Sequence, residues 1–204
     1  MPTTQDQTAP GVPEVPAAQA APAAQEAPAA EDWSQAPAGS IVQRLLREHR
    51  RWRSKDFPFI LYLFDQAQSG ESAPPCLAPL RNAFHRLCAE MEGHMSREEH
   101  ILFPAILQAQ GATEVVEKGF GSIRNPIAMI DQEHDWETER LDKMREIARN
   151  YELPENAHEK LRLLFRELEA LEAAMHAHTH LESSILFARA LATEEAPSRF
   201  KHPA

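Results

Sequence analysis

Cysteine is scarce in this chain of 204 residues: only Cys76 and Cys88 are present. Two cysteines make no disulfide framework and suit a reducing cytosol, so a cytoplasmic protein is expected. No apolar run approaches the ~18 residues of a membrane span. No Lys or Arg precedes Arg44, so the N-terminus lacks the basic segment of a secretory signal. Basic residues are outnumbered by acidic ones, 21 to 31, and the net charge is −10. Nucleic acid and anionic membrane surfaces are therefore poor partners. Strand-like alternation of any length is missing too, which leaves an all-α chain whose length fits one domain.

The composition divides near residue 40. Residues 1–39 hold seven of the 16 prolines, five acids and no base. Such a segment cannot bury enough apolar surface to offset its ordering entropy, so a disordered Ala/Pro-rich tail is expected there. From residue 40 the apolar period is helical. The spacing predicts four helices, over 41–68, 77–109, 123–150 and 156–192, with a flexible tail over 193–204. Ser40 reads as the first cap, and Gly111 as the end of the second helix. Residues 69–76 are turn chemistry, Asn125-Pro126 opens the third helix, and Pro154 precedes the fourth. Pro58 and Pro104 fall inside helices and should bend them. Four long helices on short loops make an antiparallel up-down bundle spanning residues 40–192.

What the chain does have, it has twice. His94-Met-Ser-Arg-Glu98 runs into Glu-His-Ile-Leu-Phe-Pro104. His178-Thr-His-Leu-Glu182 runs into Ser-Ser-Ile-Leu-Phe-Ala188. A Glu-His pair stands upstream of each copy: Glu48-His49 and Glu133-His134. At ~100° per residue, Glu98 lies one turn from His94, on a stripe with Leu87, Met91, Ile101 and Ala105. His178 and Glu182 share a stripe with Leu164, Leu171, Met175 and Ile185. His134 and His49 each stand on an otherwise apolar face. His85 and His100 fall elsewhere. His176 and His180 form a separate, solvated pair on the far side of the fourth helix, able at most to catch an adventitious metal. Any one of the four inward histidines alone reads as a satisfied core residue. Four of them, with two carboxylates, would cost several kcal/mol per unpaired charge if buried without a cation. A two-metal site is the economical reading, and a bundle without metal is its rival.

These motifs, with the Ile-Leu-Phe phrase after each carboxylate, resemble the hemerythrin-like, HHE cation-binding family over residues 32–192. The resemblance implies a di-iron centre in a four-helix bundle. By the internal two-fold, His49 and His94 would bind one iron, and His134 and His178 the other. Glu98 and Glu182 would bridge them with an oxo or hydroxo group. Manganese or zinc would suit the same donors. Each ion would keep an open position for dioxygen, nitric oxide or peroxide. Glu90 and Glu133 would orient ligands or carry protons.

Two features depart from the oxygen carriers. Thr138 stands where they place a further histidine, and the fourth-helix carboxylate is Glu at i+4 rather than Asp at i+5. Together with Asp32-Trp33 … Ala36-Pro37 … Ile41, these look more like the di-iron proteins that repair iron–sulfur centres under nitrosative or oxidative stress. Iron–sulfur proteins would then be partners. That group's N-terminal cysteine-bearing domain is replaced here by the Ala/Pro tail. Glu71 stands where the group has an extra histidine and would be an additional ligand. The alternative is a module that binds or senses dioxygen or nitric oxide without turnover.

Overall fold

The computed structural model describes residues 33–68, 74–111, 121–153, 155 and 157–195. The expected tail up to residue 32, Glu71, Pro154 and the segment 196–204 lie outside the described residues. Among the described residues there are four long helices and no strand. The first runs without a break through Ala38–Arg51, Trp52–Asp56 and Phe57–Gln68. The second joins Leu77–Arg97, Glu98–Leu102 and Phe103–Ala109. The third is Arg124–Ile147. The fourth joins Glu159–Leu181, Glu182–Phe187 and Ala188–Glu195.

The ends differ in detail from expectation. Ser40 is not the first cap: Pro37 holds that place in extended backbone, and the Ser40 N–H donates to its carbonyl at 2.9 Å. Helix therefore starts at Ala38, inside the span expected to be tail. Trp33 and Ala36 already pack on the core. The fourth helix starts at Glu159, where His158 Nδ1 accepts from the Leu161 N–H, and reaches Glu195, three residues into the expected C-terminal tail. Gly111, with φ of +71°, supplies the left-handed residue that ends the second. After the third, Arg149, Asn150 and Tyr151 all take positive φ. Each costs roughly 1 kcal/mol or more without glycine. A buried latch opposes that strain: the Tyr151 hydroxyl donates to Glu172 at 2.6 Å, and Arg145 donates to the other oxygen at 2.8 Å.

Packing defines the topology. One apolar cluster joins Ile41, Val42 and Leu45 to Leu102–Ile106, Ile123–Ile130 and Leu181–Ala190. The other joins Ile60–Ala67 to Leu77–Met95, Leu141–Ala148 and Leu161–Met175. The start of the first helix thus lies with the end of the second, the start of the third and the end of the fourth. That is the antiparallel up-down order. Between the two clusters lies a polar layer, and the candidate site fills it.

Three π-helical turns lie at this level: Trp52–Asp56, Glu98–Leu102 and Glu182–Phe187. In each, the helix takes one residue more than an α turn would. The Phe57 N–H reaches back to Trp52, and Phe103 to Glu98. Pro58 and Pro104 each follow directly, where an N–H is already surplus to the regular ladder. The extra residue rotates everything downstream. Ile101, expected inside with His94, is 41% exposed, and Leu102 and Phe103 are buried instead. Leu186 and Phe187 likewise replace Ile185 as the buried pair on the fourth helix.

Candidate metal centre

Every helix contributes to the polar layer. His49, His94, His134 and His178 are buried, and Glu98 and Glu182 have no exposed surface. All six Nε2 and carboxylate groups converge. Their donor atoms form two sets of four, each set within 4.8 Å: His49, Glu98, His178 and Glu182, and His94, Glu98, His134 and Glu182. Both carboxylates belong to both sets. Glu98 puts Oε2 3.3 Å from His49 Nε2 and Oε1 3.3 Å from His94 Nε2. Glu182 puts Oε1 3.2 Å from His178 and Oε2 3.1 Å from His134. Two donors each about 2.1 Å from one ion and about 100° apart would lie about 3.2 Å from each other.

The histidines pair differently from the chain-order expectation. His49 faces His178, and His94 faces His134. The reason is packing: the first helix lies against the fourth and the second against the third. The two halves of the repeat interleave rather than each making its own position. The repeated aromatic residues, in contrast, each stay with their own half. Phe103 of the first copy lies against His49 at 5.9 Å, and Phe187 of the second stacks on His134 at 6.0 Å. The Ile-Leu-Phe phrase, re-aimed by its π turn, thus supplies an apolar wall behind an imidazole. Trp52 covers His178 at 4.7 Å.

A second ring of partners fixes each imidazole from behind. His49 Nδ1 donates to Glu99 at 2.9 Å. His178 Nδ1 donates to Glu48 at 2.8 Å, and His94 Nδ1 to Glu133 at 3.0 Å. His134 Nδ1 donates to the Ser183 hydroxyl at 3.1 Å, which itself donates to Asp131 at 2.9 Å. Carboxylates only accept, so Nδ1 carries a proton and each Nε2 faces inward, where a neutral ring would present its lone pair. Arg44, Arg53 and Arg97 in turn hold Glu48, Glu99 and Glu133. Glu133 thus orients His94 across the helix interface, not its neighbour His134. Glu90 stands farther out, in an exposed ion pair with Arg140.

These atoms could hold a cation. His94 Nε2, His134 Nε2 and all four oxygens of Glu98 and Glu182 are buried without a hydrogen-bond partner. His49 and His178 point Nε2 at Nε2 across 3.3 Å. With both Nδ1 protons committed, that contact sets lone pair against lone pair unless a proton or an ion lies between. In the metal-free chain protons serve. Burial pulls His94 down, but the Glu98 carboxylate outweighs it and lifts the imidazole to about 9. His178 is raised well above its ordinary value, because Glu182 overrides its burial. Glu98, which burial alone would raise, is held well below the usual carboxylate range by His94 and His49.

Besides Glu172 of the latch, one more buried acid was not singled out from the sequence, and it lies beside the cluster. Glu137, one turn after His134, is 8% exposed. Burial raises its carboxyl more than the surrounding histidines lower it. It lines a cavity of about 240 Å³ with His94, Arg97 and Glu133, and the Glu90–Arg140 pair lines the same cavity. Thr138, on the same turn, is exposed and donates to the His134 carbonyl. The remaining histidines stay apart. His85, His100, His176 and His180 are exposed, and His100 and His180 contact Ser96 and Ser184 on their own helices. Neither cysteine is near a donor set; both are free, and burial pushes the Cys88 thiol up to about 12. Among the described residues no helix is long and apolar enough to cross a membrane.

Comparison with known proteins shows the family. The iron-sulfur cluster repair protein YtfE of Yersinia pestis (strain Pestoides F) is 27% identical over 166 residues, covering 80% of this chain and 70% of the relative. A protein of the same name from Yersinia pseudotuberculosis serotype O:1b (strain IP 31758) is 26% identical over 165 residues, with the same coverage. The model of the hemerythrin HHE cation-binding domain matches residues 40–190, a span that holds all six buried donors. The chain belongs to the hemerythrin HHE cation-binding domain family.

Proposed function

We propose that this chain is a non-haem di-iron protein of the nitrosative and oxidative stress response, acting in iron–sulfur cluster repair or in handling iron and nitric oxide. One observation carries the reading: six buried donor residues, four of them with inward atoms that lack a hydrogen-bond partner, fall into two sets that share both carboxylates. One ion would take His49 and His178, the other His94 and His134, with Glu98 and Glu182 bridging. The relatives named for iron–sulfur cluster repair support the cellular role and make iron–sulfur proteins the natural partners. Imidazole and carboxylate donors suit iron, and manganese or zinc would be held by the same atoms.

A bound iron pair, bridged by an oxo or hydroxo group, would supply one-electron chemistry and open positions for dioxygen, nitric oxide or peroxide. The chain's own residues set the rest. Glu48, Glu99, Glu133 and Ser183 keep the Nδ1 protons in place, which fixes the tautomers and turns every Nε2 inward. Trp52, Phe103 and Phe187 keep water off the imidazole faces. The raised Glu137 carboxyl can hold a proton at the cavity wall beside His94.

The test is metal analysis of the purified chain with a visible spectrum, followed by incubation with a nitrosated iron–sulfur enzyme. About two irons per chain, an oxo-bridge absorption band and recovery of the damaged enzyme are expected. A chain that takes up no iron would refute the reading. The cavity at His94 also favours a second function, binding or sensing of dioxygen or nitric oxide without turnover. A stable, reversible dioxygen adduct with no cluster recovery would select it.

A further inference from the structure

The two ion positions are alike in their donors and unlike in what stands behind them. The residue after each bridging carboxylate serves the upstream histidine of its half: Glu99 follows Glu98 and holds His49, and Ser183 follows Glu182 and holds His134. The residue before each upstream histidine serves the other histidine of the same set: Glu48 holds His178, and Glu133 holds His94. Of these four internally symmetric places, three hold a carboxylate paired to an arginine. The fourth holds a serine. Its charge comes second-hand from Asp131, 3.9 Å from His134 Nδ1. The Asp131 side chain is 49% exposed, against 13% for Glu133 and 21% for Glu99, so water screens it far more.

We infer that Ser183 is a positioning residue that breaks the symmetry of the centre, making the His94–His134 position the one that exchanges its ion. The inference rests on the di-iron reading. A carboxylate accepting an Nδ1 proton makes the opposite nitrogen a stronger donor, and a neutral hydroxyl does so far less. Changes to such partners typically alter metal affinity about 10- to 100-fold. Access acts in the same direction. The cavity that holds Glu137 reaches His94, whereas Trp52 and Phe103 close over His178 and His49. A second depression, beside Glu99, has no donor histidine in its wall.

The test is release of iron from the reduced, fully loaded chain to a ferrous chelator, followed by stopped-flow absorbance without oxygen. Wild type should give two phases of equal amplitude, at least about 10-fold apart. Ser183→Glu with Asp131→Asn, which restores the carboxylate without crowding two charges, should slow the fast phase towards the slow one. Glu99→Ser should quicken the slow phase by a similar factor, and Ser183→Thr should leave both unchanged. Zinc affinities of the same metal-free variants should move in the same order, a readout free of redox chemistry. Circular dichroism melts of the metal-free forms separate loss of the fold from loss of a ligand. Two bound irons that leave in one phase, or phases indifferent to both exchanges, would overturn the inference and leave the di-iron centre standing. Failure to bind two irons would defeat both.

Discussion

Loading metal into the centre should expel protons, and the number should fall as the pH rises. In the metal-free chain the His94 imidazole is lifted to about 9. At pH 7 it is about 99% protonated, and its Nε2 has no lone pair for an ion. His178 is likewise raised well above its ordinary value by Glu182, so it too holds a proton in the metal-free chain. Uptake at pH 7 should therefore release about two protons, one from each. Stripping the His94 proton at pH 7 costs about 2.7 kcal/mol, a cost that largely disappears near pH 9. Affinity at the His94–His134 position should accordingly rise roughly 50-fold between pH 7 and pH 9. Calorimetric titration with zinc in two buffers of different protonation enthalpy gives the proton count. Water deprotonated on bridging would give a count that grows with pH, so the sign of the trend separates the sources. A count of zero at pH 7, or an affinity flat from pH 7 to pH 9, would refute the reasoning. The linked stability has its own sign. The folded value of His94 lies above the unfolded one, so its stabilisation is complete below about pH 6.5 and fades as the pH climbs through 9. The metal-free chain should lose on the order of 3 kcal/mol over that window.

The other expectations can be stated briefly. His178→Ala should reduce bound iron by at least one ion per chain, and His180→Ala should leave it unchanged; the reverse result by metal analysis would mean that the fourth helix is turned the wrong way. Tyr151→Phe removes one of two hydrogen bonds to a buried carboxylate, so urea unfolding should show a loss of about 1–3 kcal/mol; an unchanged midpoint would show that the latch does not hold the left-handed turn. With only two imidazoles per ion, the diferrous chain should autoxidise quickly on mixing with air-saturated buffer. An oxygenated species lasting minutes and reversed by evacuation would favour a carrier.

Sequence reading reached the six clustered residues because each lies on a regular helix at the point of reading. The 100° rule holds from Leu87 to Glu98 and from Leu164 to Glu182. It fails one residue later, where the π turns begin, and Ile101 marks the failure. Nothing in the local sequence announces an i→i+5 bond, though a proline six residues after Glu98 is compatible with one. Pairing was illegible for another reason. A tandem repeat suggests that each copy completes its own position, and only the packing of first helix on fourth shows that the copies interleave. The outer ring lay half in view. Glu48 and Glu133 were visible as members of Glu-His pairs. But a residue stands about 100° from its neighbour on a helix, so each serves an imidazole across the interface and not the one beside it. Ser183 could be noticed only by aligning the copies and asking why one has Glu and the other Ser. Glu137, about 60° from His134, was within reach of the same face test.

The interleaved pairing gives the centre a mechanical meaning. Each position draws one histidine from each member of a helix pair, first with fourth and second with third, and the shared carboxylates come from one helix of each pair. Two bound ions would thus act like two rivets through crossed plates. Removing an ion from the His94–His134 position would loosen the clasp between the second and third helices and leave the first and fourth fastened. The surface between the second and third helices also carries the cavity. Occupancy of one position would therefore be felt in the spacing of one seam.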